Sequence, residues 1–121
     1  MKKVVMLVLM VVIGCGGKKW YEGGTLHKAT AIEWQNATIE NKLATCADFA
    51  ATMYQKKLLK EELSSKVNGV DSIRPIAQAL VEFLDATFKK EEDPVKNDQR
   101  FANSKVDETV AIGATLMGIL K

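Results

Sequence analysis

The sequence predicts an all-α protein: a small bundle of four to five helices behind a cleaved N-terminal signal peptide and a short tether. Three observations carry that prediction. Apolar residues recur at steps of three and four over Ile39–Tyr54 and again over Ile73–Phe88, the period of a single helix face. Helix-start chemistry stands ahead of the candidate helices, at Thr30-Ala31-Ile32-Glu33, at Asp71 and Ser72 with Pro75, and at Ser104-Lys105-Val106-Asp107. No stretch alternates apolar and polar residues as a half-buried strand does.

The first fifteen residues, MKKVVMLVLMVVIGC, place Lys2 and Lys3 before an unbroken apolar run from Val4 to Ile13, followed by Gly14 and Cys15. That is the layout of an export signal. The run falls well short of the roughly 20 apolar residues that span a bilayer. Val12-Ile13-Gly14-Cys15 resembles the lipobox of bacterial lipoproteins. The resemblance implies cleavage between Gly14 and Cys15, a diacylglycerol on the Cys15 thiol and a further acyl group on the new amino terminus. The membrane, reached through those chains, is then the first partner. Each buried methylene adds ~0.8 kcal/mol, so one chain holds a protein loosely and two or more hold it stably. The implied location is the periplasmic side of a bacterial cell envelope. In a Gram-negative cell the outer membrane is favoured, since no aspartate follows Cys15. The expected organisation is a signal peptide over 1–14, a lipidated cysteine and tether over 15–28, and a helical domain over 29–121.

Removing residues 1–14 from the 121 leaves 107, enough for one modest core. The whole chain carries 17 basic and 15 acidic residues. Without Lys2 and Lys3 the basic count falls to 15 and the mature chain is formally neutral, which argues against a nucleic-acid partner. With Cys15 acylated, Cys46 has no intrachain cysteine to pair with. It lies inside an apolar stripe and reads as a small buried hydrophobe, the alternative being a reactive or intermolecular thiol. One histidine and one spare thiol supply no metal-ligand spacing, and no cofactor is expected.

The elements follow in order. Gly16 to Lys28 reads as a linker whose Trp20 and Tyr21 either sit at a membrane interface or fold back as a lid on the core. Gly23-Gly24 marks a turn. The first helix starts at Thr30, with Glu33 completing a capping box, and Thr38 opens a second. The second presents Ile39, Leu43, Cys46, Ala47, Phe49, Ala50, Met53 and Tyr54 as its apolar positions. A short helix is expected over Lys56–Lys66, its lysines and glutamates forming a solvated face, with Asn68-Gly69 as the stop. The clearest amphipathic helix follows, capped by Asp71 or Ser72, with Pro75 in its first turn, running to Lys89 or Lys90. Glu91–Asn103 reads as a loop anchored by Arg100 and Phe101. The last helix spans Val106 to Leu120, with Val106, Val110, Ala114, Met117 and Leu120 on its apolar face. Gly113 and Gly118 are placed there for close approach to a neighbouring helix.

No catalytic set converges in the sequence. His27 stands alone as a surface or turn residue, and the pairs Glu61-Glu62 and Glu91-Glu92 are sequence neighbours that do not face one another across a cleft. The chain reads as a non-enzyme. The segment holding Trp20, Tyr21, Gly23, Gly24, Thr25 and His27 is richer than a plain tether needs and is the candidate binding segment. Cys46-Ala47-Asp48-Phe49, with the alanine-rich helix after it, resembles the start of the HdeA-type periplasmic acid-stress chaperones, although Ala114 stands where that family carries the partner cysteine. The resemblance implies an all-helical fold and acid-driven opening toward protein clients. It places the switch on the titration of Asp48, Asp71, Asp85 or Asp107. A looser likeness is to periplasmic immunity proteins that block a toxin. The expected function is a protein-binding or chaperone-like module of the envelope, with a structural envelope component or an immunity protein as the alternatives.

Overall fold

Residues 18–121 are described by a computed structural model. The signal sequence, the Gly14–Cys15 cleavage site and the acyl position at Cys15 lie outside the described residues. The described part is helical, with six α-helices and one 3-10 turn in place of the expected four or five. No strand forms among the described residues, only two isolated bridges, Thr30 with Lys105 and Leu59 with Leu120.

α1 (Ala31–Gln35) begins as the capping box predicts: the Thr30 hydroxyl accepts from the Glu33 amide, and the Glu33 carboxylate accepts from the Thr30 amide at 2.8 Å. α2 (Ile39–Gln55) is capped by Thr38, whose hydroxyl accepts from the Asn41 amide. Its buried face is Ala44, Thr45, Cys46, Ala47, Ala50 and Met53. The predicted stripe is therefore rotated. Ile39 is 76% exposed, and Tyr54 faces solvent more than core, because the helix is covered on the side where its side chains are small.

The expected helix over Lys56–Lys66 shrinks to α3 (Glu61–Ser64). Residues before it are taken up by a helix stop. Lys57 adopts φ 61°, its amide donates to the Tyr54 carbonyl, and the Leu58 amide donates to the Met53 carbonyl. This is a Schellman stop built on a lysine instead of a glycine. After the 3-10 turn (Val70–Ile73), α4 (Arg74–Thr87) starts with Ile73 at its cap position. Neither Asp71 nor Ser72 caps it. The Ser72 hydroxyl instead closes the preceding turn, accepting from the Asn68 amide and donating to the Gly69 carbonyl. α4 ends at Thr87, before the lysines.

The span expected as a loop contains α5 (Pro94–Phe101), capped by the Asp93 carboxylate, with Pro94 in its first turn. Its helical pattern is hard to see because one of its two buried residues, Asn97, is polar. Phe101 does anchor it, packing edge-on to Phe88, and Arg100 pairs with Glu91 at 2.7 Å. α6 (Val106–Leu116) buries Val106, Val110 and Ala114 as predicted, but it stops four residues early and Met117 lies outside it, more than a third exposed. Its cap position is Lys105, and Ser104 instead offers its carbonyl to the Ala31 amide. Gly113 serves the close approach expected of it, since a Cβ there would sit 2.5 Å from the Phe83 ring of α4. Gly118 does not. At φ 70° it is the left-handed residue of a second Schellman stop, with amide donation from Gly118 to Thr115 and from Ile119 to Ala114.

α4 packs against both α2 and α6 and so forms the middle of the body. Leu80 and Leu84 of α4 are fully buried there with Trp34, Cys46, Val106 and Leu59. Among the described residues the core runs from Leu26 to Ile119, one continuous cluster within 18–121. The stops of α2 and α6 lie side by side, tied by the Lys60 amide on the Ile119 carbonyl and the Lys121 amide on the Leu58 carbonyl.

A left-handed conformation costs a residue with a Cβ about 1 kcal/mol or more, and glycine adopts it freely. Lys57→Gly is therefore expected to raise the unfolding free energy by about 0.5–1 kcal/mol, read as a higher urea midpoint at unchanged slope. Gly118→Ala should lower the midpoint.

Candidate functional site

The segment from Trp20 to Ala29 is not a free tether. It lies as a strap over α2, with Leu26 and Ala29 in the core and Trp20 and Tyr21 half-buried against it, so the two rings form a lid. Gly24 makes this possible. A Cβ at Gly24 would stand 2.5–2.8 Å from backbone atoms of Thr45 and Ala44, so the strap backbone rests directly on the helix backbone. Gly23 supplies the turn before it, at φ 85°.

The strap amides are satisfied by side chains of α2. The Thr25 amide donates to Asn41 Oδ1 at 2.9 Å, and the Leu26 amide donates to Thr45 Oγ1 at 3.1 Å. Asn41 Nδ2 returns a bond to Thr25 Oγ1 at 2.8 Å, and Thr45 Oγ1 donates to Asn41 Oδ1. An unpaired buried amide would cost about 1–3 kcal/mol, so these bonds are what allows the strap to lie against a helix with no strand beside it. Asn41 and Thr45 were not anticipated as site residues. Their only signal in the sequence is a run of polar groups, Asn41, Thr45 and Asp48, at steps of four and three along one helix face.

Four aspartates then fasten the strap and the helix that follows it. His27 Nε2 lies 2.7 Å from Asp48 Oδ2, with the imidazole tilted against Phe49. Trp20 Nε1 donates to Asp71 at 2.8 Å, and the Arg74 guanidinium covers the Trp20 ring. Lys28 reaches Asp107 at 3.2 Å. Trp34 Nε1, in α1, donates to Asp85 at 2.9 Å, and Lys42, stacked on the same indole, pairs with Asp85 at 3.0 Å. The Lys28 ammonium, aided by the Glu108 amide, holds the Asp107 carboxyl below its ordinary value.

Of the predicted site residues, Trp20, Tyr21, Gly23, Gly24, Thr25 and His27 are all in this strap, and His27, which stands alone in the sequence, meets Asp48. Cys46 is fully buried, and burial first, then the nearby Asp85 charge, pushes its thiol up to about 12. It is held as the neutral thiol, matching its reading as a small hydrophobe. Beside the strap runs an open groove of about 470 Å³ bordered by Lys18, Trp20, Glu22, Thr38 and Glu40, of mixed charge. Among the described residues no group of three or more His, Cys, Asp or Glu is arranged to hold a metal. No protein-family model matches the chain, and no curated protein or solved structure shows detectable similarity to it.

Gly24→Ala is expected to lift the strap, because helix backbone cannot yield as a side-chain end can. The expected loss is about 1–3 kcal/mol, with Trp20 emission shifting to the red while the helical circular dichroism is retained. An unchanged Trp20 spectrum would contradict the close approach.

Proposed function

We propose that this is a lipid-anchored envelope protein whose helical body is a chaperone-like binding module, opened by acid when the strap is released. The leader MKKVVMLVLMVVIGC supports the anchor and the location. The observation that carries the opening is that the strap and α1 are fastened to the body through Asp48, Asp71, Asp85 and Asp107. A carboxyl that has taken up a proton loses its attraction for an ammonium or imidazolium. The sign is explicit for Asp107. Its carboxyl is lowered by folding, so its contribution is present above the ordinary carboxylate range and is lost as pH falls through the lowered value.

Release of the strap uncovers Leu26, the Trp20 and Tyr21 rings and the face of α2 beneath them. Apolar surface of that kind, shown only in acid, is what a chaperone presents to unfolding clients. A second exposed feature supports protein binding at neutral pH. Ile39 stands at an open groove of about 370 Å³ between α2 and α4, floored by Leu43 and Val81 and edged by Arg74 and Glu82. An apolar floor with a charged rim is the anatomy of a protein contact.

The test has two arms. Binding of an apolar fluorescent dye is expected to rise steeply as the pH falls toward 3. The Asp48→Asn, Asp71→Asn, Asp107→Asn triple variant is expected to bind the dye at pH 7, with its helical content kept. Dye binding that stays flat to pH 3 overturns the chaperone-like reading. Crosslinking and mass spectrometry in the native envelope should find an acylated Cys15 and a protein neighbour. An unmodified chain retaining Met1 overturns the anchor.

A further inference from the structure

The two helix stops at the far end of α2 and α6 form a surface that the strap and its latches do not use. We infer that this end docks on an anionic lipid bilayer surface. The stops turn Leu58 and Met117 outward, and Tyr54, at the end of α2, is 39% exposed. Leu58 is 44% exposed, and Leu116, next to Met117 in the chain, is 73% exposed. Lys57, Lys60 and Lys121 belong to the same end, with the Lys60 ammonium 3.2 Å from where a Cβ on Gly118 would stand. Lys121 is hydrogen-bonded through its backbone to Leu58, and Lys60 to Ile119. Tyr54, Lys57 and Lys121 share one open groove of about 430 Å³ with Glu61.

Charge complementarity selects the occupant. The four ion pairs among the described residues involve His27, Lys28, Lys42 and Arg100, so none of the lysines at this end is neutralised by one. The stretch 56–66 carries Lys56, Lys57, Lys60 and Lys66 against Glu61 and Glu62, and Lys121 joins it through its backbone bond to Leu58, so lysines are in excess there. Exposed aliphatic and aromatic side chains ringed by lysines match an interfacial lipid contact. The apolar groups enter the head-group boundary, and long lysine stems follow them while their ammonium groups stay at the phosphates. The inference rests on the lipid-anchor reading only for the delivery of the body to a membrane. The surface can be tested without the anchor, because residues 18–121 contain one continuous core cluster.

The experiment is co-sedimentation of residues 18–121 with phosphatidylglycerol/phosphatidylethanolamine vesicles and with phosphatidylcholine vesicles at millimolar lipid. Binding to the anionic vesicles is expected at low salt, with at least a tenfold loss at 0.5 M NaCl, where the screening length falls to about 4–5 Å. Lys57→Gln, Lys60→Gln, Lys121→Gln together should also lose at least tenfold. Lys89→Gln, Lys90→Gln, Lys96→Gln, with the same change of charge elsewhere, should leave binding as it was. Circular dichroism confirms that each variant is folded. Equal binding to both vesicle types, equal loss in the two triple variants, or no binding to anionic vesicles overturns the inference. Binding to polyglutamate with none to vesicles also overturns it and assigns the surface to an acidic protein. Failure here leaves the anchor intact, since acylation of Cys15 is read separately by mass.

Discussion

The whole arrangement depends on how thin α2 is along its buried face. Ala44, Thr45, Cys46, Ala47 and Ala50 put no long side chain there. The backbone of Gly24 can therefore rest on the backbone of Thr45, and α4 can bring Ala77, Leu80 and Leu84 into the same core. A bulky residue at any of these positions would displace the strap or separate the two helices. Small side chains contribute little apolar area of their own. The core gains its large groups from elsewhere: Trp34 from α1, Leu80 and Leu84 from α4, Leu59 from the chain after the α2 stop. Cys46 belongs to this thin face. Its neutral thiol follows from burial first and from the nearby Asp85 charge second.

Close backbone approach creates a polar problem that α2 also solves. A segment lying on a helix has no neighbouring strand to take its amides, and the Asn41–Thr45 pair takes them instead. The aspartate contacts then act at the margin. Most are solvent-exposed, so each adds little to the stability of the folded body. In the proposed function they govern the local equilibrium between a seated and a lifted strap, where small free energies decide the population. That division, an apolar interior for the fold and exposed carboxylates for the strap, is what the proposed acid opening draws on.

How far the sequence was legible follows from the same division. Helix identity was readable wherever burial used apolar side chains at the helical period, as in α4 and the first part of α6. The Thr30–Glu33 box was readable because its chemistry is local. α5 was hidden because Asn97 is buried through a reciprocal amide pair with Gln35, 62 residues away, and no periodic pattern reports such a bond. The rotation of α2 was hidden because alanine, threonine and cysteine rank low as apolar signals, while Ile39 and Tyr54 rank high and yet face outward. The candidate segment Trp20–His27 stood out by composition. Its partners did not, since Asn41, Thr45 and Asp71 meet it only through the tertiary fold.

The central claim, that carboxylates hold the strap while the apolar interior holds everything else, is tested most directly by amide hydrogen exchange followed residue by residue from pH 7 to pH 3, corrected for intrinsic exchange. The account predicts that the Thr25 and Leu26 amides lose protection first, while the amides of α2 and α4 around Cys46 and Leu80 remain protected. Simultaneous loss of protection in strap and core, or a strap still protected at pH 3, would contradict it.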